Sequence, residues 1–150
     1  MNREDFKAVI EFAIQREKEA VEFYQNLQEK ASFSSQKEML KELEMMERGH
    51  ITLLSNIMDK GYENIEHKQV EDMQISKYLV KNESEGELSY QDILITGMKR
   101  EETSRQLYLD LAQRFAGTDT ENVFKRLSEE ETDHKLKFEK LYDEDILKNN

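Results

Sequence analysis

The chain has 150 residues without proline, cysteine or tryptophan, and its 33 acidic and 22 basic residues leave a formal net charge of −11. A chain of this length builds one core, so we expect a single domain over residues 1–150. The lack of cysteine excludes thiol chemistry and cysteine-bound metal centres, and the acidic charge argues against binding to nucleic acid or to an anionic membrane. No apolar run exceeds three residues and the N-terminus lacks a signal-peptide core, which together favour a cytoplasmic protein without a membrane span.

Four segments carry apolar residues at helical spacing and are rich in good helix formers. They predict helices at about 3–31, 35–60, 90–116 and 119–146. Several helix ends are marked by residues with known preferences for such positions. The spacing of a capping box occurs at Ser35 with Glu38, Ser89 with Asp92, and Thr118 with Glu121, and Gly61 and Gly117 lie where the second and third helices should stop.

The connections predict the topology. The links between helices one and two, and between helices three and four, are so short that each pair must form an antiparallel hairpin. The crossover, at about residues 61–89, is long enough to run back along a helix of about 26 residues, or about 39 Å. We therefore expect an all-α fold, a ferritin-like four-helix bundle in which one long crossover joins helices 2 and 3.

An internal repeat relates the two hairpins. Shifting the chain by 84 residues aligns helices one and two with helices three and four without a gap. Two such copies would pack about a pseudo-twofold axis around a shared core. Several of the identical pairs are polar, namely Arg16/Arg100, Glu17/Glu101, Tyr24/Tyr108, Glu47/Glu131 and His50/His134.

The repeated carboxylates and imidazoles lie within the apolar stripes of their helices. A bundle built on those stripes directs four carboxylates and two imidazoles at its centre. Four buried carboxylates are very costly unless cations neutralise them, and a set of carboxylate and imidazole ligands suits iron or manganese, with zinc also acceptable. The predicted metal ligands are Glu17, Glu47, His50, Glu101, Glu131 and His134. Glu130 is interpreted as solvent-facing, although it adjoins the site and could support it.

At these residues the sequence resembles the ferritin-like superfamily, and within it the rubrerythrin-type di-iron domain. The segments around Glu17 and Glu101 look like the first and third helices of that domain, and Glu47-Arg-Gly-His50 and Glu131-Thr-Asp-His134 look like the second and fourth. The resemblance implies two iron ions, bridged by Glu47 and Glu131, with Glu17 and Glu101 as terminal ligands and one histidine for each iron.

The resemblance also implies an activity and partners. Its members reduce hydrogen peroxide or oxidise Fe(II) with O₂ or peroxide, and many are homodimers, so we expect a homo-oligomer, with a dimer favoured. Tyr24 and Tyr108 are expected to hydrogen-bond ligand carboxylates or pack in the core, with a role in electron transfer as the alternative.

Two departures from the pattern are visible. Rubrerythrins of full length carry a rubredoxin module with four cysteines, so electrons here must come from an external donor, a rubredoxin-like or flavin protein. Ser104 stands where those enzymes have an extra Glu, which leaves a six-ligand site closer to that of bacterioferritin and puts redox-linked ligand exchange in doubt.

Three functions remain open from the sequence. The first is a peroxide-reducing di-iron oxidoreductase, and it is the one we favour. The second is a ferroxidase or iron-handling protein. The third is a bundle without catalytic activity, in which the metals only stabilise the fold.

Overall fold

The computed structural model describes residues 3–31, 34–60 and 89–147. They form four long helices, α1 (Arg3–Lys30), α2 (Ser34–Lys60), α3 (Tyr90–Arg114) and α4 (Asp119–Tyr142). The predicted all-α four-helix bundle is confirmed. The predicted crossover, apart from Ser89, lies outside the described residues. No helix in the described ranges combines the length and the hydropathy that crossing a bilayer requires.

Contacts between helices give their directions. At one end of the bundle the ring of Phe6 in α1 packs against Phe115, just beyond the end of α3, with centroids 5.6 Å apart. Further along α1, Tyr24 contacts Glu101, which lies in the middle of α3. The helices α1 and α3 are therefore antiparallel. Since α1 and α2 form an antiparallel hairpin, α2 and α3 run parallel, an arrangement that needs a long connection between them.

The core consists of two apolar layers at different heights along the bundle. The first layer includes Phe6, Ile10, Leu54, Tyr108, Phe115, Phe124 and Leu127. The second layer includes Tyr24, Leu27, Leu43, Leu94, Phe138 and Leu141. Every helix contributes to both layers, and the stretch between its two contributions passes through the middle of the bundle. A side chain directed inwards there is shielded from water by apolar residues above and below.

One of the three predicted capping boxes forms, at the start of α3. Ser35 lies inside α2, which already includes Ser34, so it does not cap that helix. The Asp92 N–H donates to the Ser89 hydroxyl at 3.1 Å, and the Ser89 N–H donates to the Asp92 carboxylate at 3.3 Å. The prediction for Thr118 and Glu121 is wrong. The Thr118 hydroxyl donates to a backbone carbonyl of the preceding turn at 2.6 Å, and the Glu121 carboxylate accepts the N–H of Gly117 at 2.9 Å. Gly117 has a φ of 85°, a left-handed conformation that reverses the chain between α3 and α4.

The chain continues beyond α4 as a π-helical turn, Asp143–Leu147. The Asp145 carboxylate in this turn accepts hydrogen bonds from the Gln36 amide at 2.6 Å and from the Tyr90 hydroxyl at 3.0 Å. The end of α4 is thereby tied to the beginnings of α2 and α3.

Gly97 allows the close packing of α3 against α4. A Cβ atom at this position would lie 2.8 Å from the ring of Phe138, which is fully buried and stacked on Tyr24 with centroids 5.5 Å apart. We expect Gly97→Ala to destabilise the protein by about 1–3 kcal/mol, because the added methyl overlaps the buried Phe138 ring and the ring or a helix must shift. Urea unfolding should show the loss. Gly49→Ala is the matched control, since nothing lies within 4 Å of its added Cβ and better helix propensity should stabilise the fold by about 0.5–1 kcal/mol. Equal effects at the two glycines would contradict this packing argument.

Candidate metal centre

The six candidate ligands meet between the two apolar layers. Each helix contributes to the cluster, α1 and α3 with one glutamate and α2 and α4 with a glutamate and a histidine. All six side chains belong to residues that are at most 4% exposed, namely Glu17, Glu47, His50, Glu101, Glu131 and His134. Such burial of four carboxylates in one place is costly in the absence of cations.

The cluster divides into two overlapping groups. Glu17, Glu47, His50 and Glu131 form the first, and Glu47, Glu101, Glu131 and His134 form the second. Within each group, one donor atom of every residue lies within 4.8 Å of the others. Glu47 and Glu131 occur in both groups, and Glu17 and Glu101 occur in one each. This grouping is compatible with the bridging and terminal roles that the resemblance implied, and those roles stay a prediction.

The donor atoms converge without hydrogen-bonding one another. The Nδ1 atom of His134 lies 2.7 Å from Glu47 Oε1, and the Nδ1 atom of His50 lies 3.2 Å from Glu131 Oε1 and 3.5 Å from Glu17 Oε2. Among the described residues, however, these buried ring nitrogens and one buried oxygen of each glutamate have no hydrogen-bond partner. Donor atoms that lie this close together and have no hydrogen-bond partners of their own fit a shared cation. The residues present therefore fit a metal pair.

Without metal, the cluster holds protons instead. Burial and the charges of Glu101 and Glu47 raise the pKa of Glu131 well above its usual range. Burial alone would lower the pKa of His134, but the carboxylates of Glu101 and Glu47 outweigh it and raise that pKa to about 9. Burial would likewise raise the pKa of Glu47, but the imidazoles of His134 and His50 outweigh it and lower the pKa. Metal binding must displace these protons.

These shifts predict how the stability of the metal-free protein depends on pH. The pKa of His134 is about 6.5 in the unfolded chain and about 9 in the folded one, so its stabilising contribution is complete below pH 6.5 and is lost as the pH rises through 9. The raised pKa of Glu131 acts in the same direction. We expect the free energy of unfolding to fall by on the order of 3 kcal/mol between pH 6.5 and 9. Urea unfolding of chelator-treated protein measures it.

The same measurement with saturating metal is the control. The ligands are deprotonated in the metal-bound state, and above about pH 7 they are almost fully deprotonated in the unfolded chain as well, so stability in excess metal should stay nearly level over the same interval. In the metal-free protein, His134→Gln should flatten the decline. A metal-free protein that became more stable between pH 6.5 and 9 would contradict the proposed charge state of the cluster.

Two tyrosines tie α1 to α3 through the terminal carboxylates. The Tyr24 hydroxyl donates to Glu101, and the Tyr108 hydroxyl donates to Glu17. Burial and nearby carboxylates raise the pKa of both tyrosines well above the usual value, so both keep the proton that they donate. The sequence predicted that they contact ligand carboxylates or pack in the core, and the structure shows both.

Two polar contacts beside the cluster were not resolved from the sequence. The Nε2 atom of His50 lies 2.5 Å from a carboxylate oxygen of Glu130. When the ring is neutral, this contact favours the proton on Nε2 and leaves the lone pair on Nδ1. The Arg16 guanidinium donates to the Ser104 hydroxyl at 3.2 Å and to the Arg100 carbonyl at 3.3 Å. The hydroxyl at position 104 is thus engaged with α1. The internal repeat pairs Arg16 with Arg100, and this pairing was the indication in the sequence that Arg16 contacts α3.

Fold and cluster together define the class, a four-helix bundle with a buried group of glutamates and histidines able to bind metal. In a comparison with protein families, the model of the rubrerythrin family matches residues 8–142. The chain therefore belongs to the rubrerythrin family, as the resemblance predicted. Comparisons with curated proteins and with solved structures gave no significant match.

Proposed function

We propose that the protein is a di-iron oxidoreductase that reduces hydrogen peroxide to water with electrons from a separate donor. The observation that carries the proposal is the sharing of Glu47 and Glu131 by two donor groups, each completed by its own glutamate and histidine. Di-iron carboxylate bundles use this ligand set, one Glu from each of two helices and Glu-x-x-His from each of the other two. Iron rather than zinc is proposed because the reaction needs a redox-active metal.

The iron pair would supply the two electrons that convert one H₂O₂ and two protons into two water molecules. The protein's own side chains would bind the metals and orient the ligands. Glu47 and Glu131 would hold both metal positions at a fixed separation, while Tyr24 and Tyr108 orient the terminal carboxylates through their hydroxyl protons. The two apolar layers limit the access of water to the cluster.

The protons and electrons need routes from outside. The side chain of Glu130 is 25% exposed and contacts the buried His50. We assign to it the transfer of protons between the solvent and the cluster. The 150 residues contain no cysteine and thus no thiolate-bound iron centre. We assign electron delivery to a separate rubredoxin-like or flavin protein.

A second candidate is ferroxidase or iron-handling activity, and the environment of Ser104 favours it. Its hydroxyl accepts a hydrogen bond from Arg16 and cannot replace the carboxylate of an additional Glu as a ligand. The cluster of described residues then has six ligands, four of them carboxylates, and Glu101 is the one carboxylate that α3 contributes to it.

The test is anaerobic loading with Fe(II), followed by addition of H₂O₂ or of O₂. Peroxide reduction predicts that one H₂O₂ is consumed for every two Fe(II), faster than without protein, and that an added reductant restores repeated turnover. Ferroxidase activity predicts faster oxidation by O₂ and release of Fe(III) from the site. Sedimentation as a shell of 24 subunits would favour iron storage and remove the peroxidase proposal. Oxidation no faster than the protein-free rate with either oxidant would leave the metals as structural elements only.

A further inference from the structure

Among the described residues, the two halves of the cluster differ in the contacts of their histidines. The ligands match in pairs across the repeat, and so do the tyrosines that donate to the terminal carboxylates. The outer nitrogens of the histidines do not match. His50 Nε2 lies 2.5 Å from Glu130, whereas His134 Nε2 is buried and has no hydrogen-bond partner among the described residues. The repeat explains the difference, because the position equivalent to Glu130 is occupied by Met46.

A carboxylate on the outer nitrogen improves an imidazole as a ligand in two ways. It fixes the proton on Nε2, so that Nδ1 always presents its lone pair to the cluster, and it makes that lone pair more basic. Loss of such a partner typically lowers metal affinity by about 10- to 100-fold. The thioether of a methionine is only a weak acceptor and cannot replace the carboxylate. His134 would therefore bind metal with a buried Nε2–H that has no strong acceptor among the described residues.

We propose that the two metal positions are unequal, and that Glu130 is the positioning residue that makes them so. The position with Glu17 and His50 binds metal first and more tightly, and the position with Glu101 and His134 fills second. This inference rests on the proposed metal site. It goes further by assigning an order of filling, which the near-symmetric ligand set alone does not give.

Titration of the metal-free protein with Co(II), in competition with a chelator of known affinity, measures both steps. We expect two steps whose affinities differ by about 10-fold or more. Glu130→Leu should weaken the tighter step by about 10- to 100-fold and leave the weaker step nearly unchanged. Glu129→Leu is the matched control, since Glu129 is an exposed neighbour on the same helix and its replacement should change neither step. Glu101→Gln should retain the tight step, and Glu17→Gln the weak one.

A variant in the other half tests the inference by gain of affinity. Met46→Glu places a carboxylate at the position equivalent to Glu130 and should tighten the weaker step. Met45→Glu adds the same charge at a residue that is 57% exposed, and it should change neither step by more than about 2- to 3-fold. If Met46→Glu loses its helical circular dichroism, the comparison between Glu130→Leu and Glu129→Leu decides alone.

The possible failures are distinguishable. A parent protein that does not bind two Co(II) ions overturns the proposed metal pair and this inference with it. Two bound ions with equal affinities, or equal weakening of both steps by Glu130→Leu, overturn only the inequality of the positions.

Discussion

Replacing Glu47 and Glu131 together by alanine is expected to lower the metal content from about two ions per chain to nearly none. Each of these carboxylates belongs to both donor groups, so the double variant leaves each metal position with one glutamate and one histidine. One carboxylate and one imidazole are too few ligands to hold a divalent ion in competition with water. Metal analysis of protein purified without chelator, together with circular dichroism to verify the fold, measures the effect.

Single variants sharpen this expectation. Glu47→Ala should lower the occupancy of both positions, whereas Glu17→Ala should affect one position and leave about one ion bound. The matched control is Glu42→Ala combined with Glu129→Ala, because these exposed glutamates lie on the same two helices and their loss removes the same charge. Metal content that is unchanged in the Glu47 and Glu131 double variant would disprove the ligand assignment.

The convergence of the six side chains could be inferred before the structure because helical periodicity decides which residues share a face. Glu17 lies among apolar neighbours at offsets of three and four, and His50 lies one turn after Glu47. The repeat then required that the second hairpin do the same. Inferences of this kind need only the geometry of a single helix, in which the spacing of residues along the sequence determines which side chains share a face.

Contacts between helices could not be inferred in the same way, since they depend on the register of one helix against another. The crossing of the tyrosine hydroxyls, Tyr24 to Glu101 and Tyr108 to Glu17, needs the antiparallel register of α1 and α3. The contact of Glu130 with His50 needs the register of α4 against α2. Side-chain periodicity placed Glu130 at the surface, and at 25% exposure its side chain does lie near solvent, yet it still reaches the ligand.

The wrong prediction for Thr118 has a different cause. The sequence pattern Thr-x-x-Glu is compatible with several hydrogen-bond arrangements, and the conformation of the preceding turn determines which one forms. With Gly117 in the left-handed region, its N–H is presented to Glu121, while the Thr118 hydroxyl turns to a carbonyl of the preceding turn. A capping pattern therefore predicts where a helix begins more reliably than it predicts which atoms are bonded.

The charges that bind metal should also limit the stability of the metal-free protein. Glu131 is buried at 2% exposure beside Glu47 and Glu101, and burial with these charges raises its pKa well above the usual range. In the metal-free state we expect Glu131→Met to increase the free energy of unfolding by about 1–4 kcal/mol, because an apolar side chain of similar length replaces a carboxyl group that is costly to bury. Urea unfolding in the presence of chelator measures the gain.

With metal present, the order should reverse. A ligand at 1,000 times its dissociation constant adds about 4 kcal/mol to the stability of the parent, and Glu131→Met loses most of that gain because it lacks a carboxylate shared by both positions. Glu129→Met, at an exposed neighbouring position, should stay within about 0.5 kcal/mol of the parent in both states. If Glu131→Met destabilised the metal-free protein, the buried carboxyl would be stabilising the fold by itself, and the cluster would need no cation to exist. A change of sign on metal addition instead identifies Glu131 as a residue that the protein retains for binding at the expense of stability.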